Sequence, residues 1–169
     1  MPSDAAALEA RVDELARRVA ALEDERAIVD VLTRYGFAVD SDDPDGTGAL
    51  YTESCTIEID GRTDIRSRAD VEAMVRGRGH QSILPNCSHQ MGPFSVRIDG
   101  DRATATGYGR VYLHTPDGFR IWRVSAGRWE LERRDGRWQV LRRSTRAIGS
   151  AEAQQLLHDG LGAPLPGAT

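Results

Sequence analysis

Apolar residues near the start of the chain recur at alternating intervals of four and three: Leu8, Val12, Leu15, Val19 and Leu22. That is a heptad seam with charged residues between its members, and Asp4 is placed to cap the helix. Two heptads are short for a free coiled coil. The seam is therefore expected to pack on a partner subunit or on the outside of its own domain. After Glu23-Asp24-Glu25-Arg26 the apolar phase changes. Ile28, Val31, Leu32 and Tyr35, then Phe37 and Val39, carry the next stripe. The change predicts a second helix, or a bend, that starts near Asp24 and ends near Asp40. Ser41-Asp42-Asp43-Pro44-Asp45-Gly46 stops it with turn residues and a proline. A short helix over Thr47–Tyr51 is expected to follow.

Cys55–Ile59 alternates and runs into Asp60-Gly61, a strand entering a turn. Ser67–Gly77 reads as a helix, with Ser67 as cap, Asp70 three residues on, and Val71, Met74 and Val75 at helical spacing. Gly77, Gly79 and Pro85 break Arg78–Asn86 into a loop. The remainder alternates with period two. Strands are predicted over Phe94–Ile98 (with a start as early as Ser88), Arg102–His114, Phe119–Arg134 and Trp138–Thr145, joined by turns at Asp99-Gly100-Asp101 and Asp135-Gly136. Ala151–His158 reads as a short helix and Gly160–Thr169 as a loose tail. Helices first and a long antiparallel sheet afterwards define an α+β protein. The expected organisation is an amphipathic helix over 1–23, one domain over 24–150, and a short helix and tail over 151–169.

Composition narrows the function classes. The 169 residues suit one domain, and 40% apolar with 28% charged content is ordinary for a globular protein. A net charge of −4 gives no basic footprint for nucleic acid. No run approaches the roughly 18 apolar residues of a membrane span. No signal peptide is evident, so a cytoplasmic location is expected. Cys55 and Cys87 form neither a disulfide framework nor a zinc pattern, and read as free thiols.

Few residues carry candidate chemistry. Asp40 stands at the negative end of a helix dipole, where a carboxylate is poorly placed unless it has a partner. The plain alternative is the first acid of a solvated turn. His89, in Cys87-Ser88-His89-Gln90-Met91, shares a face with Met91 if the strand starts near Ser88. It is either a satisfied core residue or a group that exchanges protons near neutral pH. Tyr35 lies about 140° around an ideal helix from Asp40, so spacing alone does not bring the two together. His80 reads as an exposed loop residue, and His114 as a turn-flanking one. The histidines have no metal-ligand spacing, and there is no nucleophile elbow, phosphate loop or dinucleotide fingerprint. Neither metal nor cofactor is expected. The arginines from Arg120 to Arg146 read as a solvated outer face paired with Glu130 and Glu132, or else as a basic rim for an acidic substrate.

These stretches together resemble the SnoaL-like branch of the NTF2-like superfamily. The matching features are Ile28–Asp40 with its Tyr-x4-Asp ending, Leu50-Tyr51-Thr52-Glu53, His89-Gln90-Met91-Gly92, the Asp99-Gly100-Asp101 turn, and the Trp129–Arg143 hairpin. The branch includes scytalone dehydratase, ketosteroid isomerase, bile acid 7α-dehydratase and the lindane dehydrochlorinase. The resemblance implies a cone-shaped barrel: a curved antiparallel sheet wrapped around N-terminal helices over an apolar cavity. It implies a cofactor-independent lyase or isomerase, dehydratase-, isomerase- or cyclase-like, acting on a small hydrophobic, polyketide- or terpenoid-like molecule. In it His89 is the base, Asp40 orients it, and Tyr35 polarises an oxygen. Tyr51, Met74, Met91, Phe94, Tyr108, His114 and Trp122 are the candidate cavity residues. The superfamily also holds non-catalytic binding and assembly proteins and epoxide hydrolases, which stand as alternative readings. The heptad seam and the broad sheet add an expected homodimer or homotrimer.

Overall fold

The structure, a computed structural model, describes residues 4–162. The expected start segment Met1–Ser3 and most of the expected tail lie outside those residues. The elements run α1 (Asp4–Asp40), α2 (Pro44–Ala49), β1 (Tyr51–Ile59), β2 (Arg62–Ile65), α3 (Arg68–Arg76), α4 (Arg78–Gln81), β3 (Cys87–Asp99), β4 (Arg102–Thr115), β5 (Gly118–Arg134), β6 (Arg137–Ala147) and α5 (Ala151–Leu161).

The six strands form one open sheet in the order β2-β1-β6-β5-β4-β3. The expected barrel is therefore an unclosed, curved sheet. It is also not wholly antiparallel, because β1 pairs with β6 in parallel. That pairing follows from connectivity: β1 is reached from the helices and β6 from a hairpin, so no tight turn forces them to oppose. β2 and the short helix α4 were not foreseen. The four-residue β2 is too short for a period to show.

No second helix begins near Asp24. α1 is one helix of 37 residues, about 55 Å long. The phase change marks where the helix leaves solvent and meets the sheet. Before it, Leu8, Val12, Leu15, Val19 and Leu22 are 48–66% exposed, so the seam does not lie on its own domain. After it, Ile28, Leu32, Tyr35 and Val39 are buried against Trp129, Leu131, Trp138 and Val140 of the sheet. Val71 and Val75 of α3 close the far side of this core. Asp24 pins the junction. It accepts hydrogen bonds from Arg133 at 2.5 Å and from the Trp138 indole at 3.1 Å. The Arg133 bond outweighs burial and holds the Asp24 carboxyl below its ordinary range.

The sequence's capping signals operate. Ser67 accepts from the Asp70 backbone N–H, and the Asp70 carboxylate accepts from the Arg66 N–H. Asp43 caps α2 through the Gly46 N–H, with Pro44 in the first turn.

Candidate active site

Asp40 is the last residue of α1, and β3 runs directly beneath it. The helix and strand approach closely because residue 36 is glycine. A Cβ there would lie 2.1 Å from the His89 carbonyl oxygen. The Asp40 carboxylate then grips His89 at two points. One oxygen accepts from the His89 backbone N–H at 2.7 Å, and the other lies 2.6 Å from Nδ1. A carboxylate only accepts here, so Nδ1 carries the hydrogen and Nε2 is the free ring nitrogen. The Cys87 thiol donates to the same carboxylate at 3.4 Å. Burial alone would raise the Asp40 pKa. The side-chain and backbone hydrogen bonds from His89, with help from Cys87, more than reverse this and hold it below the ordinary carboxylate value. Burial, and then the Asp40 charge, push the Cys87 thiol up to about 11.

His89 lines a cavity of about 480 Å³ between α1, α3–α4 and the concave face of the sheet. Tyr35, Met74, Met91 and Trp122 line it as well, while Asp40 stands behind His89. The Tyr35 ring meets the His89 ring edge-on, 6.3 Å between centroids. The helical angle separating Tyr35 from Asp40 is real, but His89 reaches across and touches both.

Four expected cavity residues are elsewhere. Tyr51 is buried in the core, 6.3 Å from the Tyr35 ring. Phe94 packs edge-on against Trp129 at 5.4 Å. Tyr108 sits between Gly107 and Gly109 on the opposite face of β4, with the Arg110 guanidinium over its ring. His114 is exposed at the far end of β4 against Phe119.

Two further polar residues, His80 and Arg143, line the cavity. His80 is half-buried on α4 rather than exposed in a loop, and its ring lies 5.8 Å from that of His89. Its Nε2 is 2.7 Å from the Val39 carbonyl, which accepts only, so Nε2 carries the hydrogen. Arg143 was counted with the solvated arginines. Several of those do pair with carboxylates: Arg123 with Asp60, Arg134 with Glu132, Arg142 and Arg146 with Glu58. Arg143 faces inward, its guanidinium 4.4 Å from the Tyr35 ring centre and close to Tyr51. Burial opposes its charge, but the two tyrosine hydroxyls hold it firmly protonated. It has no carboxylate partner among the described residues, and its Nε is buried without a hydrogen bond.

Bulges explain why alternation failed at this end. The pairing shifts between Glu130↔Arg142 and Leu131↔Val140, which carries Arg143 and Thr145 to the face of Trp138 and Val140. A shift between Val111↔Arg123 and Tyr112↔Ile121 leaves Trp122 as the extra residue at the cavity rim. A third, between Met91 and Phe94, moves β3 from odd to even inward positions. Bulges re-aim side chains in this way beside functional sites.

Asp40, Cys87 and His89 offer three ligand atoms within 4.8 Å of one another, types that can hold a divalent ion. Each is engaged by another member of the set, and the thiol keeps its proton well above neutral pH. The donors are committed to a hydrogen-bonded dyad.

Fold and site together define a cone-like α+β scaffold with a His–Asp pair at an apolar cavity. The chain belongs to the SnoaL-like family: the SnoaL-like domain matches residues 20–144. Among solved structures it is similar to an NTF2-like protein with a cystatin-like fold from Novosphingobium aromaticivorans. That match has 34% identity over 85% of this chain and 94% of that one, with a TM-score of 0.80. It is also similar to a function-unknown protein from Mycobacterium tuberculosis, at 22% identity, 83% and 93% coverage and TM-score 0.69. A third, from Novosphingobium aromaticivorans, is provisionally named a scytalone dehydratase and shares 18% identity over 76% and 86%, TM-score 0.66. The last two show the fold alone. No curated protein matches the chain.

Proposed function

We propose that the protein is a cofactor-independent lyase or isomerase that abstracts a proton next to a carbonyl of a small hydrophobic substrate. The carrying observation is the state of His89. Its Nδ1 is tied to Asp40 at 2.6 Å, and its Nε2 is free on a ring that lines the cavity. His89 Nε2 takes the proton, and Asp40 fixes the tautomer and stabilises the imidazolium. Negative charge then gathers on the substrate oxygen. Tyr35 and Arg143, which has no carboxylate partner among the described residues, present a hydroxyl and a cation to it from one wall. Collapse of the enolate either expels a β-substituent, giving elimination, or accepts a proton elsewhere, giving isomerisation or cyclisation. The proton that His89 Nε2 has taken is the one available to a departing hydroxyl; His80 stands beside it, its ring 5.8 Å from that of His89 and its own Nε2 hydrogen bound to the Val39 carbonyl.

Two observations favour this reading over its alternatives. The cone is open rather than filled by its own side chains, as a purely structural pair would allow. No aspartate or glutamate lines the cavity among the described residues, so the carboxylate pair that activates water for epoxide hydrolysis is not assembled.

The test is deuterium uptake at the α-carbon of cyclic ketones, with and without a β-hydroxyl, in heavy water, followed by mass spectrometry. His89→Gln and Asp40→Asn are each expected to slow uptake by about 10²–10⁴-fold. Wild-type rates in both variants would sink the mechanism.

A further inference from the structure

We infer that the N-terminal half of α1 is an interface: it pairs with the same segment of a second copy as a parallel, in-register, two-stranded coiled coil. The apolar seam Leu8, Val12, Leu15, Val19, Leu22 is 48–66% exposed. Three independent features identify its occupant.

The first is direction. At about 100° per residue, the seam centres about 150° around the helix from the stripe Ile28, Leu32, Tyr35, Val39 that faces the domain. One continuous helix, pinned to the sheet at Asp24, cannot turn both faces inward. The seam therefore points away from its own domain. Two copies joined along it carry their domains on opposite outer sides.

The second is residue type. The spacing puts valine at the a positions, Val12 and Val19, and leucine at the d positions, Leu8, Leu15 and Leu22. β-Branched residues at a with leucine at d favour two parallel strands over three or four.

The third is charge. In a parallel pair each g residue faces the e residue of the following heptad on the other helix. Arg18 then meets Glu23 of the second copy, twice by symmetry, and Arg11 meets the neutral Ala16. Within the seam Asp4 facing Glu9, at the outermost turn, is the one like-charge contact; beyond Leu22 the next such pair, Glu25 with Asp30, repels and Arg26 takes the a position, so the coil ends at Leu22. The antiparallel register that uses the whole seam sets Arg11 against Arg18 and Asp4 against Glu25, both repulsive. Sliding that register by a heptad brings Arg26 into the apolar layer. The exposed Arg17–Glu14 pair lies on neither flank and is left free by the parallel arrangement.

Sedimentation and light scattering of the full chain test this without any substrate. The expected mass is twice 18.6 kDa, falling to one chain in Leu15→Glu and in Val19→Glu, with the sheet's circular dichroism retained. Leu8→Cys is expected to cross-link to itself under mild oxidation, since in-register d positions face one another. A monomer or trimer in the wild type overturns the inference. So does a dimer that survives both seam charges, or a Leu8→Cys variant that forms dimers yet does not cross-link. Loss of all secondary structure in the glutamate variants would leave the wild-type mass and the cysteine cross-link to decide.

Discussion

Gly36 sets the distance on which the site depends. By helix propensity, replacing it with alanine should stabilise α1 by about 1 kcal/mol. The added Cβ would instead sit 2.1 Å from the His89 carbonyl, a backbone atom that cannot swing aside. Overpacking of this kind costs about 1–3 kcal/mol, so the clash wins. Gly36→Ala is expected to lower thermal stability and to shift the His89 ring nitrogens in NMR as the strand moves off Asp40. The dyad also has an acid signature. Asp40 is held below the ordinary 3.8 in the fold, so the unfolded chain binds its proton more readily. Its stabilisation is complete above that ordinary value and drains away as pH falls through the lower folded value. Between about pH 5 and pH 2 the wild type should lose more stability than Asp40→Asn, measured by urea unfolding at each pH. The pairing of Asp40 with His89 is what the resemblance to SnoaL-like proteins implies; read locally, an acid that opens a turn and an imidazole on an apolar face each have an ordinary explanation. His80 was not legible, because α4 is a single turn in a glycine-rich stretch that reads as loop.

Individual elements show where alternation informs and where it misleads. The α3 caps, the β-turns and the long hairpins follow from local chemistry and fall where the sequence placed them within a few residues. Arg143 was lost because one extra residue in β6 reverses the parity set by Trp138 and Val140. Parallel pairing of β1 with β6 was lost because no local pattern encodes a partner strand. The change of apolar phase at Asp24, which predicts a second helix or a bend, marks instead the point where one helix leaves solvent and meets the sheet. Asp24 itself joins helix to sheet, and its test is Asp24→Ala. That substitution removes two hydrogen bonds to a charged group, one of them from the partly exposed Arg133. A loss of about 1–2 kcal/mol is expected, at the low end because solvent screens the pair. The measurement is chemical unfolding, with helix content reporting fraying of the first six turns.

At the scale of the molecule, an open six-stranded sheet curls around one end of a long helix and leaves a cavity at the other edge of that contact. About 480 Å³ suits a ligand of one to three small rings. Gly109 lies on the cavity wall with Ser125 and Met91 as neighbours, where an added Cβ would be 3.2 Å from the Ser125 hydroxyl oxygen and 3.6 Å from the Met91 methyl. Gly109→Val should shrink the cavity while the fold persists. In a fluorescence competition series the larger hydrophobic ligands are expected to lose affinity first, by about tenfold per excluded pair of methylene groups. Equal loss for small and large ligands would place the binding site elsewhere.

The two-point grip of Asp40 on His89 has a consequence for how such chains diverge. One oxygen serves the imidazole and the other serves the main chain of the same residue. Deleting the aspartate therefore unsettles the strand as well as the ring. A relative without the proposed reaction would still be selected to retain the acid as a fastener. A surviving aspartate at the end of this helix is thus a poor marker of activity among such relatives. The informative features are those turned toward the ligand: the Nε2 edge of His89 and the arginine held beside Tyr35 on the wall of the same cavity.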